Sequence, residues 1–330
     1  MADVKLTAEP ELSVVALDDW IAAVDKSDVT DDAAGSDVKL SVLRLLGRLT
    51  NVFQARLTLA TGDPHPTTDQ TAKTSVFITP YQGNLVSLFD GTRWQLYTLS
   101  EVTLALGTLT ADRNYDVFLY DNAGTLTGEF SAAWNVDNIT RTDALTTQDG
   151  VDVKSGATTR RYVGTIRTVT TTTTEDSRVK RFVWNNQNRV LRAMSRFDST
   201  VTWTYTTATY RQANAAPANQ LDVVCGKAGA SVIEVYVQGR VINSTGGVGF
   251  SLAIGEDGTT AHADGIIVRL GANDSASEAE PMPASLRVNV ALGRHYYVWL
   301  EQSSATGTTT WTGGGGSATN QCGMVGSYWA

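Results

Sequence analysis

A chain of 330 residues is long enough for two or three domains, each with its own core. Charged residues make up 18 %, while 45 Thr, 29 Gly and 8 Trp favour strands and turns over helices. A formal net charge of −8 argues against general nucleic-acid binding, which relies on Lys and Arg neutralising phosphates. The expected class is all-β.

Residues 1–37 are polar and acidic around one apolar piece, "LDDWIAAVDKSD" (17–28). The acidic run "DKSDVTDDAAGSD" (25–37) lacks the turn glycine and terminal glutamate of a calcium loop, so a solvated loop without metal is expected. No basic-then-apolar leader opens the sequence, and no apolar stretch approaches the ~20 residues of a membrane helix. The expectation is synthesis in the cytoplasm without membrane insertion. Next, in "VKLSVLRLLGRLTNVFQARL" (38–57), Val42, Leu45, Leu49 and Val52 fall at helical spacing, with Leu46 and Phe53 widening the stripe. Gly47 weakens such a helix by about 1 kcal/mol relative to Ala. So short a helix is marginal alone. Its stripe must pack on its own domain or meet copies of itself around a symmetry axis.

From Arg56 to Gln212 strand signals follow one another with no helical pattern between them, as in a β-sandwich. In "VSLFDGTRWQLY" (86–97), Asp-Gly separates two aromatic and branched runs, the mark of a tight hairpin. A two-residue loop puts Leu85, Phe89, Trp94 and Leu96 on one face and Val86, Leu88 and Tyr97 on the other. A three-residue loop exchanges the faces. Both faces hold apolar residues in either register. In "YDNAGTL" (120–126), Asn122 and Gly124 are expected to take the unusual turn angles. Val201, Trp203 and Tyr205 alternate with Thr202, Thr204 and Thr206, the period of a half-buried strand.

The spacer "QANAAPANQ" (212–220) is the expected boundary of a C-terminal, jelly-roll-like antiparallel sandwich over 213–330, after an N-terminal segment 1–56 and a central β-module 57–212. Charge is uneven along this plan. Residues 151–212 hold 11 basic and 4 acidic side chains, which reads as a solvated basic edge or as a belt docking on an acidic neighbour. Cys225 and Cys322 give no disulfide framework and are expected to be buried thiols in adjacent strands.

Chemistry is sparse. None of the three histidines, His65, His262 and His295, has a partner at catalytic or zinc-binding spacing, and no nucleophile motif occurs. Glu256 and Asp264 are the carboxylates nominated for a glycosidase-like pair, a pairing any acid-rich chain offers. The expectation is a non-enzyme with no cofactor. Tyr297 and Trp299 share a strand face and read as core. Trp311, in a Thr/Gly-rich stretch, is the aromatic expected to stay exposed and stack on a sugar.

Three stretches carry a resemblance. The segment "LDDWIAAVDKSDVTDDAAGSDVKLSVLRLL" is similar to the N-terminal part of tailed-bacteriophage fibre and tail proteins. The stretches "FITPYQGNLVSLFDGTRWQLYTLSEVTLAL" and "FVWNNQNRVLRAMSRFDSTVTWTYTTATYRQAN" resemble a β-rich module of phage structural proteins. The likeness spans residues 15–212 or so, and the C-terminal third carries no matching motif. It implies a homotrimer on the virion, joined to head, collar or tail proteins by its N-terminal part, with the helix stripe at the trimer axis. The C-terminal tip would face outward toward a host-surface glycan. The alternative it leaves is an architectural head fibre, collar or decoration protein without a receptor; a glycan-degrading tailspike is a distant third.

Overall fold

The structure, a computed structural model, describes residues 20–25, 36–41, 51–271, 280–315 and 321–330. Its described residues are almost wholly strands and connecting turns, the one helical element among them being the 3-10 turn Ala213–Ala215. β1 (Trp20–Asp25) and β2 (Ser36–Ser41) form an antiparallel ribbon. Val42, Leu45, Leu46 and Leu49 lie outside the described residues. The last two members of the expected helical stripe are described, and they are not helical. Phe53 is buried and bridges Val86, and the Val52 carbonyl accepts the Ser87 N–H at 2.9 Å. Phe53 packs in the core of its own chain, where Val86 offers it apolar area immediately.

A first layer consists of β3 (Ala55–Thr58), β5 (Ser75–Pro80) and β8 (Val102–Ala105), with the hairpin β6 (Leu85–Phe89) and β7 (Trp94–Thr98) beside them. The hairpin loop has four residues, 90–93, and Phe89 pairs with Trp94. Asp90 Oδ1 closes it by accepting the Thr92 and Arg93 N–H groups at 2.8 and 2.9 Å. Relative to the two-residue loop the register moves by two, so every side chain keeps its expected face. Val86 and Leu88 enter one core, while Phe89 and Trp94 meet Val151 and Val153. Both faces are covered within a single chain.

The central sheet runs in the order β10 (Thr125–Phe130), β9 (Asn114–Asn122), β13 (Ala157–Arg167), β12 (Val151–Lys154), β11 (Leu145–Gln148), with β16 (Val183–Asn185) also on β13. Strand alternation splits its apolar residues between two cores. Val117, Leu119, Val163 and Val183 pack toward the first layer, and Phe118, Tyr162 and Trp184 pack toward the C-terminal strands. The β9–β10 turn places Ala123 (φ 50°) and Gly124 (φ 91°) in the left-handed region, so Ala123, not Asn122, carries the unusual angle.

Two larger sheets form the remaining layers. One is ordered β23 (Val268–Gly271), β22 (Gly249–Glu256), β25 (Gly293–Gln302), β20 (Gln220–Cys225), β15 (Lys180–Arg181), β14 (Thr174–Asp176), β4 (Gln70–Lys73), with β19 (Arg211–Gln212) also on β25. The other is ordered β17 (Leu191–Phe197), β27 (Gly323–Trp329), β21 (Val232–Asn243), β26 (Thr309–Thr312), β18 (Thr202–Tyr205), with β24 (Glu280–Asn289) also on β21. Between them Val223, Leu252, Tyr297 and Trp299 face Val235, Trp311, Met324 and Tyr328 in one core. Where the central sheet meets this sandwich, a Cβ on Gly226 would stand 2.2 Å from the Tyr162 hydroxyl, so the approach requires glycine.

The expected boundary at residue 212 does not divide these sheets. Strands β4, β14, β15 and β17 to β19, all before residue 213, complete the two sheets built mainly from later strands. The spacer between β19 and β20 is pinned rather than loose: Asn219 is buried and donates to Asp198 Oδ2 at 2.6 Å and to the Ala213 carbonyl at 3.0 Å. Segments 57–212 and 213–330 are thus not separate sandwiches. Cys225 and Cys322 are both buried thiols outside any disulfide, as expected, but Cys225 ends β20 and Cys322 precedes β27 in the opposite sheet, so the two are not on adjacent strands.

Candidate functional site

The basic segment 151–212 turns largely inward. Arg161, Arg167, Arg181 and Arg192 are buried. Several of its ion pairs reach acids outside the segment: Lys154 to Glu129 and Asp143, Arg160 to Glu129, Arg167 to Asp112 and Arg211 to Glu301. The acidic neighbour of the belt is its own chain. Arg161 is the extreme case, with Nη1 donating to the Val52 and Ser87 carbonyls at 3.0 and 2.7 Å and Nη2 to Asn51 Oδ1 at 3.1 Å. It has no carboxylate among these partners, and burial pulls its guanidinium down to about 9, opposed by Asp152. Across the same sheet Asp116 is fully buried and accepts Arg141 Nε at 2.6 Å and the Thr165 hydroxyl at 2.7 Å. Burial pushes this carboxyl above its ordinary value, against the pull of Arg141.

Two of the three histidines converge at one end of β22. His295, on β25, holds Nδ1 2.7 Å from Asp257 Oδ2 and 3.6 Å from Glu256 Oε1. His262 places Nε2 3.1 Å from Glu256 Oε2, and its Nδ1 accepts the Asp264 backbone N–H at 3.1 Å. Tyr297 donates its hydroxyl to Glu256 Oε1 at 3.0 Å. Asp264 thus joins Glu256 only through its main chain. The donor atoms of Glu256, Asp257 and His295 lie within 4.8 Å of one another, the one such group among the described residues. Each already has a partner, which makes the group a charge network tying the 256–257 turn to β25. Sequence spacing had no means to find it, since antiparallel pairing of β22 with β25 joins residues about forty apart.

Trp311 is fully buried on β26, where it pairs with Trp203 of β18 and Val241 of β21 and packs edge-on to Phe250. It is core, not an exposed sugar-stacking ring. The Gly run that follows suggested a loop, but the alternation Thr309, Trp311, Gly313 against Thr310 and Thr312 carries a strand period. Tyr297 and Trp299 are core, as their shared face implies.

Exposed apolar area instead gathers on the outer face of the β17–β27–β21 sheet. Register aligns Leu191 with Trp329 and Val325 with Tyr236 on that face, with Phe197 at its end. These five side chains are 37–52 % exposed. Toward β18 the same face becomes a threonine ladder, Thr202 opposite Thr312 and Thr204 opposite Thr310. Among the described residues no helix is long and apolar enough to cross a membrane.

No protein-family model matches the sequence, and no curated protein matches it. Among solved structures, the insecticidal delta-endotoxin Cry8Ea1 of Bacillus thuringiensis aligns over 87 % of this chain and 55 % of its own, at 11 % identity and TM-score 0.24. The chain therefore spans about half the length of that toxin. An infectious bursal disease virus structure, Gx strain, aligns over 80 % of this chain and 72 % of its own at 11 % identity and TM-score 0.24. The stem and receptor-binding domain of spike protein P1 from bacteriophage PM2 aligns over 81 % of this chain and 99 % of its own, at 10 % identity and TM-score 0.20. Scores this low carry no argument about function. The resemblance to phage fibre proteins rests on the sequence stretches quoted for it.

Proposed function

We propose that the protein is a structural component of a bacteriophage virion, a homotrimer held to the particle by its N-terminal part, with the C-terminal strands directed outward for host attachment. The sequence resemblance supports the virion role. The observation that carries the assembly is the outer face of the β17–β27–β21 sheet, where Leu191, Phe197, Tyr236, Val325 and Trp329 stand in water in register. Aligned apolar patches of this kind mark interaction surfaces. A threefold ring joins two different patches, and the loop bearing exposed Val136 and Ile139 supplies a second one.

Light scattering of the purified protein is expected to give about three times the 35.4 kDa chain mass, and an antibody to the chain to label assembled particles. The double variant Tyr236→Ser, Val325→Asp should remain folded by circular dichroism and run as a monomer, because charge at a buried contact costs several kcal/mol. A wild-type monomer at micromolar concentration overturns the assembly.

A further inference from the structure

Where β17 meets the 65–67 segment, a groove of about 230 Å³ is lined by Arg178, Arg181, Arg192, His65, Thr67 and Leu191, among others. One buried carboxylate serves two of its arginines: Asp176 Oδ1 lies 3.1 Å from Arg181 Nη1 and Oδ2 lies 2.9 Å from Arg192 Nη2. Arg181 Nε is buried without a hydrogen-bond partner. Arg178 is exposed and makes no ion pair among the described residues. Behind the groove, Arg56 donates to the Pro64 and Ala330 carbonyls at 3.0 and 3.1 Å. Asp63 and Asp69 lie nearby, accepting the backbone N–H groups of His65 and Arg178. The balance is positive. Burial, followed by Arg192, Arg56 and Arg181, holds the His65 imidazole below its ordinary value against the pull of Asp63.

Guanidinium forks match carboxylate and phosphate oxygens, and clustered, partly buried cations gain most from an anion that neutralises them. The cavity is smaller than the ~300 Å³ at which drug-sized sites begin, so it suits a single charged unit with an apolar wall at Pro66 and a hydroxyl at Thr67, Leu191 at its rim belonging to the proposed trimer contact. We propose that this groove binds one anionic sugar residue, its carboxylate or phosphate held by Arg178 and Arg192. The proposal rests on the host-attachment reading only for the source of that sugar.

Calorimetric titration of the full chain with glucuronate, glucose 6-phosphate, glucose and inorganic phosphate tests it. At least one of the two charged sugars should bind saturably and glucose should not, and added salt should weaken the binding. Arg178→Gln, at an exposed position, should lose at least tenfold in affinity while keeping the wild-type melting temperature. Preference for glucuronate points to a carboxylated surface polysaccharide and preference for glucose 6-phosphate to a phosphorylated one. Failure of both charged sugars, wild-type affinity in Arg178→Gln, or inorganic phosphate binding as tightly as either sugar overturns the assignment. Wild-type sugar binding that Arg178→Gln weakens as expected, with cell adsorption unchanged in that variant, supports the groove and counts against host attachment instead.

Discussion

The C-terminal sandwich core and the seam around the central sheet both lie inside the molecule, yet they are built from opposite materials. Between the two large sheets, Trp299, Trp311, Tyr297 and Tyr328 interlock with aliphatic side chains. Around the central sheet, Asp116, Arg141, Thr165 and Arg161 replace much of that apolar contact with hydrogen bonds. The first region is held by area removed from water, roughly 25 cal/mol per Å². The second depends on every polar group having its partner, since an orphaned buried charge costs far more than its pairing contributes. An aromatic core tolerates conservative exchange, whereas a polar seam fails when one member goes.

The largest effect is expected in the sandwich. Trp311→Ala should cost about 3–5 kcal/mol, by loss of buried area and by the cavity left beside Phe250 and Trp203. Chemical denaturation measures it. A midpoint close to wild type would remove Trp311 from the core and restore it as a surface ring.

Two substitutions in the seam sharpen the contrast. Asp116→Ala leaves the Arg141 guanidinium without its carboxylate and should cost about 3 kcal/mol. Arg161→Met removes a cation that has no carboxylate to leave behind, and it takes one donor from each of the Val52 and Ser87 carbonyls, Val52 keeping the Ser87 N–H. A smaller loss of about 1–2 kcal/mol follows. If the two variants are equally destabilised, the distinction between paired and unpaired buried charge fails for this sheet.

The smallest effect is pH-dependent. The hydrogen bond and charge of Asp257, with Glu256 beyond it, outweigh burial and raise the His295 imidazole above its ordinary value. A raised folded-state value means the contact stabilises fully below the unfolded value of about 6.5 and is lost as pH rises through the folded one. Thermal midpoints should therefore fall between pH 6 and pH 8 by more in the wild type than in His295→Gln. Equal falls would assign the pH dependence to other groups.

Where β-periodicity and turn chemistry speak, the sequence alone was sufficient. The all-β class, the strands through 75–130 and 220–302, the core positions of Tyr297 and Trp299 and the two faces of the 86–97 hairpin follow from side chains alternating across a pleat, a local rule that needs no knowledge of neighbours. Of the two hairpin registers left open, the observed four-residue loop keeps the faces of the two-residue one, because a shift of two residues preserves a period of two.

What the tertiary structure decided was everything that depends on which distant strands meet. Composition counts the arginines of 151–212 but says nothing of depth, and only the packing of β13, β15 and β17 against other sheets turns that belt inward. Trp311 changed from candidate ligand platform to core because β18 and β21 close on either side of β26. The spacer after Gln212 became a pinned turn because β19 and β20 both pair with β25. Each reversal has one physical cause. Burial and charge pairing are set by contacts between residues tens to hundreds of positions apart, and a local pattern carries no record of them.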